Sequence, residues 1–167
     1  MKELFQGRRF GFAPRPALAY IAVGIGIALT LADLMAWFAW GASETTGFVV
    51  VSDWLAHAVT VVLGVAALAA LAEYLDVPEE DRSIARLDLV AAVVAFLLYG
   101  ASTFLRAFDT GAAAASPAPF LIAIAGLVVT FVDAVVAASL YGAREWEELE
   151  EEPIRERRPR RRAATTR

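Results

Sequence analysis

The chain has 167 residues, of which 59% are hydrophobic, and it carries a formal net charge of −4 with no cysteine. This apolar share exceeds the roughly 45–50% of soluble domains, and the length suits one domain of the usual size, about 100–150 residues. The lack of cysteine excludes disulfides, thiolate metal sites and thiol nucleophiles.

Four long apolar stretches dominate the sequence and predict helices that cross a membrane. Each is close to the roughly 20 residues that cross a hydrocarbon core about 30 Å thick. The predicted fold is therefore all-α, an integral membrane four-helix bundle of residues 17–142 between an N-terminal segment, 1–16, and a charged tail, 143–167. The predicted spans are residues 17–40, 48–75, 89–105 and 117–142.

The first apolar stretch follows a basic segment, an arrangement that also occurs in secretory signal peptides. Ala39, Trp40 and Gly41 weakly resemble the small residues of a cleavage site. The apolar run is, however, well beyond the roughly 7–15 residues of a signal-peptide core. We therefore expect the stretch to be retained as the first span.

Basic residues are distributed unevenly between the two sides of these spans. Fourteen of the 15 Lys and Arg residues lie before the first span, between the second and third, or after the fourth, and Arg106 is the exception. Cytoplasmic loops of membrane proteins carry an excess of Lys and Arg. The sequence thus predicts a multi-pass protein of the cytoplasmic (inner) membrane with both termini in the cytoplasm.

Ionisable residues inside the predicted spans are candidates for a buried polar network. At 1.5 Å per residue, Asp33, Asp53 and His57 lie within about 15 Å of one end of the bundle, and Arg106 closes the third span at the same end. A charge at the bilayer centre costs at least about 2.5–3.5 kcal/mol, so such residues usually have partners or functions. We expect these four residues to form one network, with Asp133, nearer the other end, as a secondary candidate.

The predicted network is open to two interpretations. It either fixes the register of the helices, or it binds a ligand or proton, with Asp53 orienting the imidazole of His57. Two histidines are needed for a bis-His haem and three or four ligands for zinc, and His57 is the only histidine. No metal site is predicted, no cofactor is assigned, and no catalytic residue is named, since nucleophile elbows and phosphate loops are missing.

The segment after the fourth span is first acidic and then basic. Residues 145–152 are predicted to extend the fourth helix, which we expect to break at Pro153. The basic end is interpreted as a solvated tail that sets topology, or as a contact for anionic headgroups at about 1 kcal/mol per basic residue or for an acidic partner; nucleic acid is not favoured. Its residues are Arg155, Arg157, Arg158, Arg160, Arg161 and Arg162.

The stretch from Leu71, LAEYLDVPEEDRSIARLDLVAAVVAFLLYGASTFLRAF, resembles an uncharacterised family of small four-span bacterial membrane proteins, domain of unknown function 2231. The likeness rests on Asp76 at the end of the second span, a short Arg-containing connector and Arg106; the part of the first span around Asp33 is also similar. The chain has Arg15 before a proline where the family has His-Pro, and it lacks the family's Gly-rich, histidine-bearing end. The resemblance therefore implies a bacterial four-span membrane protein, and the two departures argue against carrying over a histidine-based cofactor role from the family.

Together these features predict a non-enzymatic accessory or scaffold subunit of a larger membrane complex or homo-oligomer. The alternative is a cofactor-binding or proton-handling membrane subunit, for haem, quinone or a proton relay, that uses His57 and neighbouring carboxylates.

Overall fold

The chain is all-helical where the computed structural model describes it, at residues 14–40, 46–77, 79, 82–108 and 116–156, with side chains of the last helix described as far as residue 139. The α-helices in these ranges are α1 (Pro14–Trp37), α2 (Thr46–Tyr74), α3 (Arg82–Arg106) and α4 (Pro117–Glu156).

The four helices stand at the corners of a square. α1 and α3 each contact both α2 and α4, so that α1 and α3 face each other across a diagonal. Hydrogen bonds between neighbours show that the chain runs up and down: Ser52 of α2 lies level with Arg106 of α3, and Thr60 lies level with Thr103, at 3.0 Å between hydroxyls. Neighbouring helices are therefore antiparallel, and α1 and α3 are parallel.

All four helices are long and apolar enough to cross a membrane, α4 over its first part, Pro117–Ser139. Only about a third of each apolar stretch is buried inside the bundle. The remaining side chains, many of them valine and leucine, are exposed on the outside of the bundle. The inward faces instead carry small residues, such as Ala22, Ala56, Ala95 and Ala123, which allow close approach of the helix backbones.

Three of the differences between the observed and the predicted helix bounds have a physical reason or extend a helix well beyond its predicted span. α1 begins at Pro14, three residues before the predicted start, because proline fits the first turn of a helix, where its missing N–H is not needed. α3 begins at Arg82 and so includes most of the polar connector predicted between the second and third spans. α4 continues past Pro153 to Glu156, so the predicted break at that proline is wrong; the preceding run of glutamates has high helix propensity.

The end of α1 is fixed by a left-handed residue. Ala39 has a φ of 46°, and the N–H of Trp40 donates to the carbonyl of Met35 at 3.1 Å. A bond of this span around a left-handed residue terminates many helices, usually with glycine at that position. The chain thus leaves α1 immediately after the apolar stretch.

The centre of the bundle is filled by Tyr99 of α3, whose side chain is fully buried. Its ring and hydroxyl lie against two glycines, Gly26 of α1 and Gly126 of α4. A Cβ atom at Gly26 would overlap the Tyr99 hydroxyl, and one at Gly126 would lie 3.0 Å from the ring. The glycines are therefore required for the close approach of α1 and α4 to α3 at this level.

Candidate functional site: two buried ion-pair clusters

The first buried cluster, the Arg106 cluster, consists of Arg106, Asp33, Ser52 and Ser102. Arg106 donates to both carboxylate oxygens of Asp33, from Nη1 to Oδ1 at 2.9 Å and from Nη2 to Oδ2 at 2.5 Å. This bidentate arrangement is the strongest geometry available to an arginine and a carboxylate. Asp33 is fully buried and Arg106 almost so, so the pair lies inside the bundle.

The Arg106 cluster connects all four helices. Nη1 of Arg106 also donates to the Ser52 hydroxyl of α2 at 3.1 Å, and Nε lies 3.4 Å from the Ser102 hydroxyl on its own helix. Ser102 in turn donates to the carbonyl of Pro119 in α4 at 2.7 Å. One positive charge faces one negative charge, and both carboxylate oxygens are bonded. The cluster is therefore balanced in charge.

Asp53 and His57 do not join this cluster, which corrects the predicted four-residue network. Their side chains are 44% and 54% exposed and lie on the outer face of α2. Nδ1 of His57 lies 2.8 Å from the backbone carbonyl of Asp53 and 3.7 Å from its carboxylate. The reason is the phase of the helix: Ser52, one residue earlier and about 100° away around the axis, is the residue that faces Arg106.

The second buried cluster, the Arg15 cluster, lies near the other end of the bundle and joins α1, α3 and α4. Arg15 donates from Nε and Nη2 to the two carboxylate oxygens of Asp88, at 3.1 and 3.0 Å. Nη2 of Arg15 also donates to Oδ1 of Asp133 in a very short contact. Arg15 and Asp133 are fully buried and Asp88 is 1% exposed. Asp133, the secondary candidate from the sequence, is therefore enclosed in the bundle and paired with Arg15.

The Arg15 cluster is unbalanced in charge. One guanidinium faces two carboxylates, and two of the buried polar atoms, Nη1 of Arg15 and Oδ2 of Asp133, have no hydrogen-bond partner in the described part of the chain. Arg82 and Arg86, which lie in the first turns of α3 at the same end of the bundle, are exposed. Buried polar groups are normally paired, so this cluster differs from an ordinary structural ion pair.

The two clusters are related by a regular spacing. Arg15 and Asp88 are 73 residues apart, as are Asp33 and Arg106, and each pair joins α1 to α3. Along α1, and likewise along α3, the two charged residues are 18 positions apart, about five turns and about 27 Å. They therefore lie on one face of each helix, and the separation is close to the hydrocarbon thickness of about 30 Å.

The charges are arranged in opposite order on the two helices. α1 carries its cation at the start and its anion near the end, whereas α3 carries its anion near the start and its cation at the end. Parallel packing in this register pairs opposite charges at both levels. Antiparallel packing would place Arg15 against Arg106 and Asp33 against Asp88, which repel. The arrangement can therefore specify the orientation of α1 relative to α3.

Arg15 and Asp88 are the site residues that the sequence reasoning missed. In the sequence Arg15 precedes the first predicted span and Asp88 directly precedes the third, so both lie outside the predicted spans. The matching intervals Arg15 to Asp33 and Asp88 to Arg106 are the signal that could have identified them, since five full turns return to the same helix face.

The remaining predicted sites have no described contacts. The side chains of the Arg-rich tail, Arg155 to Arg162, lie outside the described residues. In the described ranges no group of three or more His, Cys, Asp and Glu residues is arranged to hold a metal ion.

Comparisons with models of protein families, with curated proteins and with solved structures found no match to this chain. The resemblance to the four-span bacterial family therefore stays a prediction.

Proposed function

We propose that this chain is a multi-pass integral protein of a bacterial cytoplasmic membrane and acts as a non-enzymatic accessory or scaffold subunit of a larger membrane complex or homo-oligomer. The observation that carries the proposal is the Arg106 cluster. Its polar groups bond to one another across all four helices, so their role is to hold the bundle, and they present no charged group to a ligand.

The proposed orientation places both termini in the cytoplasm. It is supported by the basic residues before α1, between α2 and α3, and after α4. In this orientation the Arg106 cluster lies toward the outer face and the Arg15 cluster toward the cytoplasm, and the exposed valine and leucine side chains face lipid. A cysteine in place of Glu44 should react with an impermeant thiol reagent on intact cells, and one in place of Thr166 should not. The reverse labelling would overturn the orientation.

The exposed polar residues of α2 are where we expect a partner to bind. Asp53 and His57 form a half-exposed pair on a face that otherwise carries exposed apolar side chains such as Trp54 and Val61. Ionisable residues on a membrane helix usually turn toward a protein or a water-filled space. The partner that we expect here is a helix of another membrane subunit, with a side chain that forms a hydrogen bond to this pair.

Photo-crosslinking in the native membrane, followed by purification in mild detergent, tests the accessory role. The full chain carrying a photo-crosslinking amino acid at position 57 should give a discrete cross-linked species, identified by mass spectrometry, from membranes of the native host. The same amino acid at Leu97, which is exposed on α3, is the matched control and should give much less. A chain that purifies only as a monomer, with equal and diffuse cross-linking from both positions, would contradict the proposal.

The haem or quinone alternative receives little support from the geometry. His57 is half-exposed. Among the described acidic residues, Asp53 is the one near its ring, with 3.7 Å between Nδ1 of His57 and Oδ1 of Asp53. An absorbance spectrum of the purified protein decides the haem case: a haem band that disappears in the variant His57→Ala would replace the accessory role with a cofactor-binding one.

A further inference from the structure

The imbalance of the Arg15 cluster leads to an inference beyond a structural role. Three charged side chains from three helices are enclosed there, one cation and two anions, with α1 supplying Arg15, α3 supplying Asp88 and α4 supplying Asp133. Another acidic residue, Glu73, is buried near the end of α2, at the same end of the bundle. No described group on these helices supplies a second cation to balance the second carboxylate.

The two carboxylates share Arg15 unequally. Asp88 accepts two hydrogen bonds, one on each oxygen, from Nε and Nη2. Asp133 accepts one, on Oδ1, and its buried Oδ2 has no hydrogen-bond partner among the described residues. Asp88 therefore has both carboxylate oxygens bonded to Arg15, whereas Asp133 has one buried oxygen at which a proton can bind.

A buried charge without a partner is costly, and a carboxylate avoids that cost by taking up a proton. Two carboxylates that share one site cannot both ionise without repulsion. Protonation of Asp133 on Oδ2 makes the cluster neutral, and it keeps both the Asp88 pair and the bond that Oδ1 accepts from Arg15. Protonation of Asp88 would instead weaken the bidentate pair.

We propose that the Arg15 cluster is a proton-binding site, in which Asp133 takes one proton from water while Asp88 stays ionised against Arg15. The step forms one O–H bond at Oδ2 while one O–H bond of a hydronium ion breaks and leaves water, and it changes the charge of the cluster from −1 to 0; no oxidant or reductant takes part. Because the two carboxylates interact, the proton is a property of the pair, and Asp133 is the position at which it resides.

Infrared spectroscopy of the full-length protein in lipid vesicles tests the proposal. A protonated carboxyl group gives a C=O band that shifts when deuterium replaces the proton. The wild-type protein should show this band at neutral pH and lose it at high pH. The variant Asp133→Asn should lack the band, and Asp53→Asn, which changes a half-exposed carboxylate, should keep it. No band in the wild-type protein, or a band that persists in Asp133→Asn, would overturn the proposal.

Thermal unfolding assigns the proton to one of the two carboxylates. Asparagine resembles a protonated aspartate, so Asp133→Asn should fold and should unfold within a few degrees of the wild-type midpoint. Asp88→Asn removes an ionised partner of Arg15 and should lower the midpoint more. A variant Asp133→Asn that fails to fold, or that is less stable than Asp88→Asn, would overturn the assignment to Asp133.

Discussion

The Arg106 and Arg15 clusters hold the same pair of helices, yet they differ in charge and in the use of their polar atoms. At one end Arg106 faces a single carboxylate, and the hydrogen bonds of the cluster link all four helices, α4 through the bond from Ser102 to Pro119. At the other end Arg15 faces two carboxylates, and two polar atoms of the cluster have no hydrogen-bond partner in the part of the chain that the structure describes. A satisfied buried network suits a structural role, whereas an excess of acid creates a place for a proton. The two proposed roles, structural for the Arg106 cluster and proton-binding for the Arg15 cluster, follow from this difference in charge balance.

The largest effect is expected from breaking the balanced cluster. Replacement of Arg106 by methionine leaves Asp33 buried without its partner, and loss of one member of a buried ion pair costs about 3–5 kcal/mol. Arg82→Met is the matched control: Arg82 pairs with Glu79 at 3.6 Å, and their side chains are 48% and 90% exposed, so the cost should be no more than about 0.5 kcal/mol. Denaturant unfolding in bicelles measures both, and equal losses would refute the structural role of the Arg106 cluster.

The unbalanced cluster should respond unequally to two similar substitutions. Asp88→Asn removes two charge-assisted hydrogen bonds and should cost about 1.5–3 kcal/mol, limited because Asp133 can then ionise against Arg15. Asp133→Asn replaces a protonated carboxyl with a neutral group of the same shape and should cost less than about 1 kcal/mol. The free energy of unfolding measures both, and similar losses at the two positions would remove the distinction between the carboxylates.

The pH dependence of stability provides an independent check of the same difference. An aspartate in the unfolded chain is ionised above about pH 5, whereas the proposed site holds a proton at Asp133 in the folded chain. The folded state then binds one more proton than the unfolded state, so the free energy of unfolding should fall with rising pH, by up to about 1.4 kcal/mol per unit. The slope should be absent in Asp133→Asn; a wild-type stability that rises with pH in this window would contradict the account.

A smaller effect is expected between the clusters, where Tyr99 lies against glycine. Gly26→Ala places a methyl group on the Tyr99 hydroxyl and close to Leu127, at 3.0 Å, and such overpacking costs about 1–3 kcal/mol. Gly24→Ala is the control, because no atom lies within 4 Å of its Cβ position and alanine gains up to about 1 kcal/mol of helix propensity. If both variants were equally stable, the close approach of α1 to Tyr99 would have no energetic role.

Much of the bundle follows from the sequence by simple rules. The four apolar stretches and their turns predict the helices, and the depth of Asp33 and Arg106 predicts that these two meet, because each is the charged residue nearest that end of its span. Insertion into a membrane and the orientation of the termini stay predictions, because they are inferred from the apolar stretches and from the distribution of basic residues in the sequence.

Other features depend on helix phase, which the apolar sequence hardly reveals. Both sides of α2 are apolar, and choosing Asp53 in place of Ser52 rotates the supposed inward face by about 100°. The better guide was the run of small or compact buried residues Ser52, Ala56 and Val59, which continues down the helix at helical spacing. The Arg15 cluster was missed because a basic residue before a span is usually read as a topology signal.

The central claim, that ion pairs across the diagonal hold α1 to α3, is tested most directly by exchanging the charges of one pair. The single variants Asp33→Arg and Arg106→Asp each place like charges together and should unfold far more easily than the wild-type protein. The double variant again pairs opposite charges, now with the cation on α1 and the anion on α3, as in the pair of Arg15 and Asp88. It should therefore recover most of the lost free energy of unfolding. A double variant whose loss equals the sum of the two single losses would contradict the claim.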